Sequence, residues 1–392
     1  MRVPLGLLLA RGVSRMKVAQ LLNPLEHIAG IERFVLETSR EMSIRGIETR
    51  IYTASVDPGT FARTRDEVEI RKVDLPSASM FRLYSNLSIS KHLIEIASSW
   101  ADVIILHSGL GMAEYSWRKR HVPCFPFFHI DKFDPRFFGS LRKLAFLYTY
   151  PLRLQESKCI RSIPLAFVNS GSLGHRVREY VKGGELVVIP LGVDIDRFHP
   201  TWADDGYLLM AGRYHPGNNF ELGLRLAAQM PCKIVIAGIQ EKKFLWYYRH
   251  LRHLVEDSLT LSQRVELLTS ESDERLIHLM QNCSIFLSPR IYDYLGLATL
   301  EAMACGKPVV AYQGAENGPI APVVRCGDSV SEWQGALEML LKDEGQRFQL
   351  GRKSRQFVED HHTWKKTVDL MMDKVKESMR NNGGISGNQV MF

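Results

Sequence analysis

Short apolar runs alternate with longer amphipathic segments along the chain, and this alternation predicts its elements. Each run has the length of a strand, whereas the intervening segments repeat apolar residues every three or four positions, as helices do. Strands that alternate with helices predict α/β domains with parallel sheets. The runs that we interpret as strands are 16–22, 48–52, 103–106, 123–128, 166–169, 186–189, 207–211, 233–237, 265–268, 285–287 and the run that begins at 308.

The stretch 288–312 has the clearest local pattern. Pro289 ends a strand because proline cannot continue the pairing. A helix follows from Gly296, and Gly306 stops it before the next strand. In such a βαβ unit the helix N-terminus lies at the carboxyl edge of the sheet, where backbone amides and the helix dipole favour a phosphate. The stretch therefore predicts an anion site.

Two carboxylates, Asp293 and Glu301, bracket the start of this helix. Carboxylates cannot serve the phosphate itself, so we expect them to accept hydrogen bonds from hydroxyl-rich neighbours, a ribose and a sugar. The structural alternative is a buried helix start at which the two acids are chance partners of the dipole.

This segment resembles the acid-x7-acid signature of the retaining glycosyltransferases of family 4, which have the two-domain GT-B architecture. The resemblance implies that Asp293, where the family usually has Glu, contacts the donor sugar. It implies that Glu301 contacts the nucleotide ribose. Gly296 and Leu297, at the helix start, would then bind the departing diphosphate.

Three further segments are similar to motifs of the same family. Arg213 matches the arginine of a Gly-Arg-x-x-x-x-Lys motif that binds the donor diphosphate, and Asn218 stands at the lysine position. Gly30 matches a glycine-rich helix start that lets the backbone approach a phosphate, for which a simple tight turn is the alternative. The segment 313–328 is shorter than the family's usual loop, so fewer donor contacts are expected there.

Two histidines end predicted strands. His107 and His129 both fall at the carboxyl edge, where ligands bind in an open α/β sheet. The resemblance places His129 against the donor sugar, and we predict it as catalytic together with Asp293 and Arg213. We assign His107 and Ser170 to the acceptor side. The alternative for either histidine is a satisfied structural group.

The length of 392 residues indicates two domains. The predicted fold class is α/β with GT-B architecture, in which two Rossmann-like, doubly wound parallel-sheet domains face each other across a cleft. The predicted segments are a dispensable extension at 1–15, an N-terminal acceptor-side domain at 16–189, a linker at 190–200, a C-terminal nucleotide-sugar donor domain at 201–360, a helix at 361–379 that packs back on the N-terminal domain, and a disordered tail at 380–392.

The composition of the chain indicates its binding partners and its cellular location. The net charge of +7 suggests anionic partners, either nucleotide phosphates or an anionic membrane. The basic amphipathic segment 133–161 suits peripheral contact with such a membrane, or simply a packed helix with a solvated basic face. No run is long enough to span a membrane, and six dispersed cysteines indicate a reduced, cytoplasmic protein, at most at the cytoplasmic face of a membrane. No nucleic-acid-binding module is recognisable.

We predict no cofactor and no metal. Asp194 and Asp196 have the Asp-x-Asp spacing of a metal motif, but they lie between a strand and a proline-bounded turn without a third ligand nearby in the sequence.

The predicted function is transfer of a hexose, of mannosyl or glucosyl type, from a UDP- or GDP-sugar to a glycan or lipid-linked acceptor. The resemblance implies retention of configuration and no catalytic metal. The rival hypothesis is a degenerate GT-B protein that acts as a non-catalytic nucleotide-binding or scaffold subunit. Asn218, Asp293 and the short segment 313–328 favour the rival.

Overall fold

The computed structural model describes residues 16–25, 30–56, 59, 68–74, 82–107, 122–129, 150, 154, 163–180, 183–290, 296–313 and 321–383, with only the backbone of 82–88, 180, 382 and 383. The chain forms two compact units. The first comprises Met1–Ile189 and Trp364–Phe392, and the second comprises Pro190–Thr363. Each unit contains one parallel sheet.

The first unit is built on seven parallel strands in the order β3-β2-β1-β4-β5-β6-β7. The order reverses between β1 and β4, which are adjacent, and such a reversal opens a crevice at the carboxyl edge of the sheet. The elements are β1 Lys17–Leu21, α1 Gly30–Ile44, β2 Glu48–Thr53, β3 Glu69–Lys72, α2 Arg82–Ala97, β4 Val103–His107, β5 Cys124–Phe128, β6 Leu165–Val168, α3 Gly171–Tyr180, β7 Glu185–Val188 and the last helix, α11 Trp364–Gly383.

The second unit repeats this plan with six parallel strands in the order β10-β9-β8-β11-β12-β13. Its order reverses between β8 and β11. The elements are β8 Tyr207–Arg213, α4 Glu221–Gln229, β9 Lys233–Ile239, α5 Leu245–Glu256, α6 Leu259–Arg264, β10 Val265–Thr269, α7 Asp273–Asn282, β11 Ile285–Ser288, α8 Leu297–Ala304, β12 Val309–Tyr312, β13 Val324–Cys326, α9 Val330–Lys342 and α10 Glu344–His361.

Several central strands of the two sheets are buried along their whole length. Every residue of β4, β5, β6 and β11 is buried. Helices cover both faces of a parallel sheet, so its strands read as continuous apolar runs rather than as alternating patterns. The predicted α/β class with two Rossmann-like sheets is therefore confirmed.

Helix α8 is held in place at its C-terminal end. Gly306 follows it with a φ of +72°, in the left-handed region that glycine adopts without a Cβ penalty. Arg355 of α10 donates to the Ala304 carbonyl at 2.8 Å and so compensates the negative end of the helix dipole. Gly351 of α10 packs against this turn, and a Cβ there would collide with the Gly306 carbonyl oxygen.

Several elements differ from the predicted ones. The predicted linker, 190–200, belongs to the second unit, where Val193 pairs with Thr363. The tail predicted from residue 380 is helical up to Gly383. The short segment 313–328 contains strand β13. The apolar pattern also does not predict β3, which has a single buried residue, or helices α2, α4, α5 and α6.

Two predicted segments cannot be compared with the structure. The extension 1–15 lies outside the described residues, as does nearly all of the basic segment 133–161. Within the described part of the chain, no helix combines the length and the apolar character needed to cross a membrane.

We expect Gly351→Ala to destabilise the second unit, because the new Cβ would meet backbone rather than a movable side chain. Overpacking of this kind costs about 1–3 kcal/mol. The matched control is Gly335 of α9, which is exposed and has no atom within 4 Å of a Cβ position. Gly335→Ala should stabilise by up to about 1 kcal/mol. Equal urea midpoints for the two variants would contradict the packing described here.

Candidate functional site

The reversal point of the second sheet brings two arginines to one edge. Arg213 is the last residue of β8, and Arg290 lies two residues beyond the end of the adjacent strand β11. Ligands of open α/β sheets bind at the carboxyl ends of the strands, at the point where the strand order reverses. This edge, which we call the donor edge, is therefore the candidate nucleotide site of the second unit.

Arg213 belongs to a small ionic cluster at the donor edge. Its Nη1 lies 2.9 Å from Oε1 of Glu241, and Lys243 Nζ lies 3.1 Å from Oε2 of the same carboxylate. Burial alone would raise the pKa of Glu241, but the hydrogen bonds and charges of Arg213 and Lys243 outweigh it, so the pKa is lowered. Glu241 is therefore ionised and holds both cations in place.

His215 adds no charge to this cluster. Burial lowers the pKa of His215 to about 4, and the nearby cations Arg213 and Arg290 contribute in the same direction. Its Nδ1 accepts a hydrogen bond from the Gly217 amide at 2.9 Å, which a doubly protonated ring could not do. Arg213 and Lys243 thus share one carboxylate, and Arg290 lies near His215, so the described cations of this edge favour an anion.

Arg290 lies against the N-terminal end of α8. A Cβ at Gly296, the N-cap residue, would collide with the Arg290 guanidinium. Gly296 supplies no side-chain cap, and Leu297, which follows it, is half-buried at the first helical position. A cation at the positive end of a helix dipole costs about 0.3–1 kcal/mol. An anion bound here would be attracted both by the Arg290 guanidinium and by the N-terminus of α8.

Glu301 is buried, with 4 % of its surface exposed, because α8 is enclosed on all sides from Thr299 onward. Thr299 also donates to the Ser288 hydroxyl at 2.9 Å and joins the helix to the end of β11. Asp293, the other predicted acid, lies outside the described residues. The structure therefore tests the position of one acid of the pair.

Asn218 serves the turn that follows β8. Its side-chain amide donates to the Arg213 carbonyl at 2.6 Å, and the residue is buried. The predicted lysine position thus carries a side chain that shapes the backbone beside Arg213. The family motif does not identify Lys243, which shares the Glu241 carboxylate with Arg213.

The reversal point of the first sheet has a different character. Gly30 is the exposed first residue of α1, and among the described residues no atom lies within 4 Å of a Cβ position there. His107, which ends β4, places Nδ1 2.9 Å from Nε2 of His129, which follows β5. Both histidines are 2 % exposed. The structure thus brings the two predicted histidines together as a buried pair.

Ser170 and its neighbour Asn169 follow β6 at the same edge. The Ser170 hydroxyl accepts from the Leu173 amide at 3.2 Å and caps α3, so its position has a local structural reason. Asn169 donates from Nδ2 to the His129 carbonyl at 2.9 Å. Its Oδ1 is buried and has no hydrogen-bond partner in the described structure, which leaves an acceptor unsatisfied.

The residues that the structure describes contain no group of three His, Cys, Asp or Glu side chains that could hold a metal ion. Asp194, from the Asp-x-Asp segment, accepts from the backbone amides of Asp196 and Arg197 at 3.1 and 3.0 Å. This carboxylate therefore stabilises a turn, as an Asx turn does.

Comparison with known families decides the classification. Residues 28–197 match the family described as Glycosyltransferase Family 4, and residues 193–357 match Glycosyl transferases group 1. The chain belongs to the family 4 glycosyltransferases of GT-B type. The D-inositol 3-phosphate glycosyltransferase of Mycobacterium avium (strain 104) is 24 % identical to this glycosyltransferase, over 90 % of this chain and 89 % of that protein.

Solved structures of other glycosyltransferases share the fold. Sucrose-phosphate synthase from Thermosynechococcus elongatus has a TM-score of 0.75 at 16 % identity, covering 94 % of this chain and 100 % of its own. Anabaena Alr3699/HepE in complex with UDP-glucose has a TM-score of 0.73 at 15 % identity, covering 93 % of this chain and 100 % of its own. The predicted family and GT-B fold class are confirmed.

Several side chains of these edges have no counterpart among the predicted site residues. Arg290 stands directly after Pro289. The only sequence feature that could have indicated a role for Arg290 in the site is its position just past the end of a predicted strand. Gln20 is a polar residue within an apolar strand, which marks it for a buried hydrogen bond. Glu241 and Lys243 lie in a polar loop without a distinctive pattern, and only the folded chain brings them to Arg213.

The buried His107 should make the protein sensitive to acid. Burial lowers the pKa of His107 to about 3, whereas the unfolded value is about 6.5. The free energy of unfolding is therefore unaffected above pH 6.5 and falls by about 1.4 kcal/mol for each pH unit below it, because only the unfolded chain binds the proton. We expect His107→Gln to lose this part of the slope between pH 6.5 and 4.5, measured by urea unfolding.

His250 of α5, which is exposed, provides the control as His250→Gln. Burial lowers the pKa values of His215 and His362 to about 4. Their contribution to the pH dependence of the free energy of unfolding is therefore the same in the wild type and in both variants. If the free energy of unfolding falls with pH equally steeply in the wild type and in His107→Gln, His107 takes up its proton in the folded chain, which would contradict this prediction.

Proposed function

We propose that this glycosyltransferase moves a hexose from a nucleotide-diphosphate sugar to a hydroxyl acceptor, with retention of configuration and without a metal. The observation that supports this most strongly is the cationic character of the donor edge, where Arg213 and Lys243 share the Glu241 carboxylate and Arg290 lies against the N-terminal end of α8. Such an edge suits a diphosphate better than a neutral ligand.

The difficult step of the proposed reaction is departure of the diphosphate. Negative charge accumulates on it as the glycosidic bond breaks, and fixed cations and helix amides stabilise that charge without moving. Arg213 and the N-terminal amides of α8 would supply this stabilisation, with Arg290 in place of the missing lysine at position 218. Arg213 is already oriented by Glu241, so little reorganisation is needed.

Donor and acceptor are proposed by class. The structural neighbour HepE binds UDP-glucose, which supports a UDP-hexose as the first donor to test, with GDP-hexoses beside it. The name of the Mycobacterium avium relative supports D-inositol 3-phosphate as one trial acceptor. Glycan and lipid-linked acceptors, reached at an anionic cytoplasmic membrane face through the basic segment 133–161, complete the proposal.

The decisive experiment is a transfer assay with UDP- and GDP-hexoses and an acceptor panel, in the presence of EDTA. We expect turnover in EDTA, and an anomeric configuration in the product, read by NMR, that matches the donor. Arg213→Gln should lower kcat/KM about 100-fold, because it removes one group that stabilises the leaving charge. Arg352→Gln, at an exposed site of α10, is the control.

The rival scaffold function predicts different outcomes of this assay. Nucleotide binding without hydrolysis or transfer, across the whole panel, would support a non-catalytic subunit. Turnover that EDTA abolishes and Mg²⁺ or Mn²⁺ restores would overturn the metal-free mechanism. A product of inverted configuration would overturn retention.

Glu301 has a separate test, because its predicted partner is the ribose. Since the side chain is buried, Glu301→Gln is the proper variant: it keeps the volume and removes the charge. A hydrogen bond to a charged group is worth about 1.5–3 kcal/mol, so nucleotide affinity should fall about tenfold or more in calorimetry. Glu338→Gln, at an exposed position of α9, should bind as wild type does. Unchanged affinity of Glu301→Gln for the nucleotide would remove Glu301 from the ribose site.

A further inference from the structure

Three buried side chains of the first unit form one hydrogen-bonded chain. Gln20 lies in β1, His107 ends β4, and His129 follows β5. Gln20 Oε1 is 2.8 Å from His107 Nε2, and His107 Nδ1 is 2.9 Å from His129 Nε2. We call this chain the relay. Gln20 and His129 do not share a hydrogen bond in the described structure, so the relay connects them only through His107.

The orientation of the Gln20 amide is determined by helix α1. Gln20 Nε2 lies 3.3 Å from the Val35 carbonyl oxygen and 2.6 Å from the Ser39 hydroxyl. A backbone carbonyl can only accept, so the NH₂ group must face the helix. The amide oxygen therefore faces His107, and it too can only accept.

This orientation determines where the protons of the two histidines lie. His107 must carry a proton on Nε2 in order to donate to Gln20. His107 is neutral, because burial lowers its pKa to about 3, and its Nδ1 then carries the lone pair. His129 Nε2 must consequently donate to that lone pair. Both rings are therefore Nε2–H tautomers, and Nδ1 of a neutral His129 can only accept.

The ring and backbone of His129 are also held by direct packing. Phe127 stacks on the ring with centroids 4.3 Å apart and planes 8° apart, and Phe34 contacts it edge-on at 5.0 Å. Asn169 donates to the His129 carbonyl at 2.9 Å. The unsatisfied Oδ1 of Asn169 is a second acceptor at this edge, which a hydroxyl-bearing ligand could satisfy.

We propose that Gln20 and His107 are positioning residues that hold His129 in its Nε2–H tautomer, the form in which its ring would face the donor sugar. The sugar contact rests on the proposed function, whereas the tautomer does not. In this proposal Gln20 does not contact the ligand. It determines which nitrogen of His107 carries the proton, and His107 in turn determines which nitrogen of His129 does.

The test is NMR of the full chain labelled with ¹⁵N-histidine, in which long-range nitrogen–proton couplings report which ring nitrogen carries the proton. His107→Gln and His129→Gln assign the two signals by their loss. We expect both rings of the wild type to be protonated on Nε2 alone at neutral pH. A wild-type His129 protonated on Nδ1 would overturn the relay without any variant.

Gln20→Leu then removes the acceptor on which the relay depends. An N–H of His107 buried without a partner is more costly than an unsatisfied lone pair, so the His107 proton should move to Nδ1. That proton must then be accepted by His129 Nε2, and the His129 proton moves to its own Nδ1. The expected result is a reversed tautomer at a residue that position 20 does not contact.

Gln20→Met, which keeps the unbranched shape, replaces Gln20→Leu if the latter does not fold. An unchanged His129 tautomer in a folded variant of residue 20 would overturn the proposal. In the transfer assay we expect kcat of the variant to fall about tenfold with little change in the KM for the donor, since the predicted diphosphate contacts lie in the second unit. An absence of wild-type transfer would overturn the proposed function, while the tautomer measurement would still decide the relay.

Discussion

The reversal of strand order in the second sheet is the constraint on which the site depends. A parallel sheet brings the ends of its strands to one edge, and the reversal between β8 and β11 prevents one helix layer from covering that edge. Arg213 and Arg290 occupy the two strand ends at this point, and α8 begins there. The contacts of Gly306, Gly351 and Arg355 at the far end of α8 serve the same arrangement, because they determine where its N-terminus lies.

The two units differ in how they use the same topology. The second unit exposes charge at its reversal point, with Glu241 orienting cations rather than neutralising them all. The first unit instead buries hydrogen-bonded groups there, and the relay determines the roles of His107 Nε2, His107 Nδ1 and His129 Nε2. A charged edge suits a diphosphate, whereas a buried edge of hydrogen-bonding groups suits sugar hydroxyls. From this contrast follows the proposal that the second unit binds the diphosphate and the first unit contacts the sugar.

The sequence predicts this architecture well because buried parallel strands are continuous apolar runs, and the strand ends of Arg213 and His107 follow from them. It does not predict contacts that depend on distant chain segments, such as those of Glu241 with Arg213 or of Gln20 with His107. At Asn218 the spacing of the motif identifies a position but not the direction of the side chain, which bonds to the adjacent turn. Strand β3 escapes prediction because an edge strand with one buried residue lacks a pattern.

The central claim, that the donor edge binds a diphosphate, is tested most directly by calorimetry with UDP and GDP against uridine and guanosine. We predict that one diphosphate binds much more tightly than its nucleoside, and that this margin shrinks with added salt. Arg213→Gln and Arg290→Gln should each reduce the margin about tenfold, while nucleoside affinity is unchanged. Equal affinity for diphosphate and nucleoside, or a margin that neither substitution changes, would contradict the account.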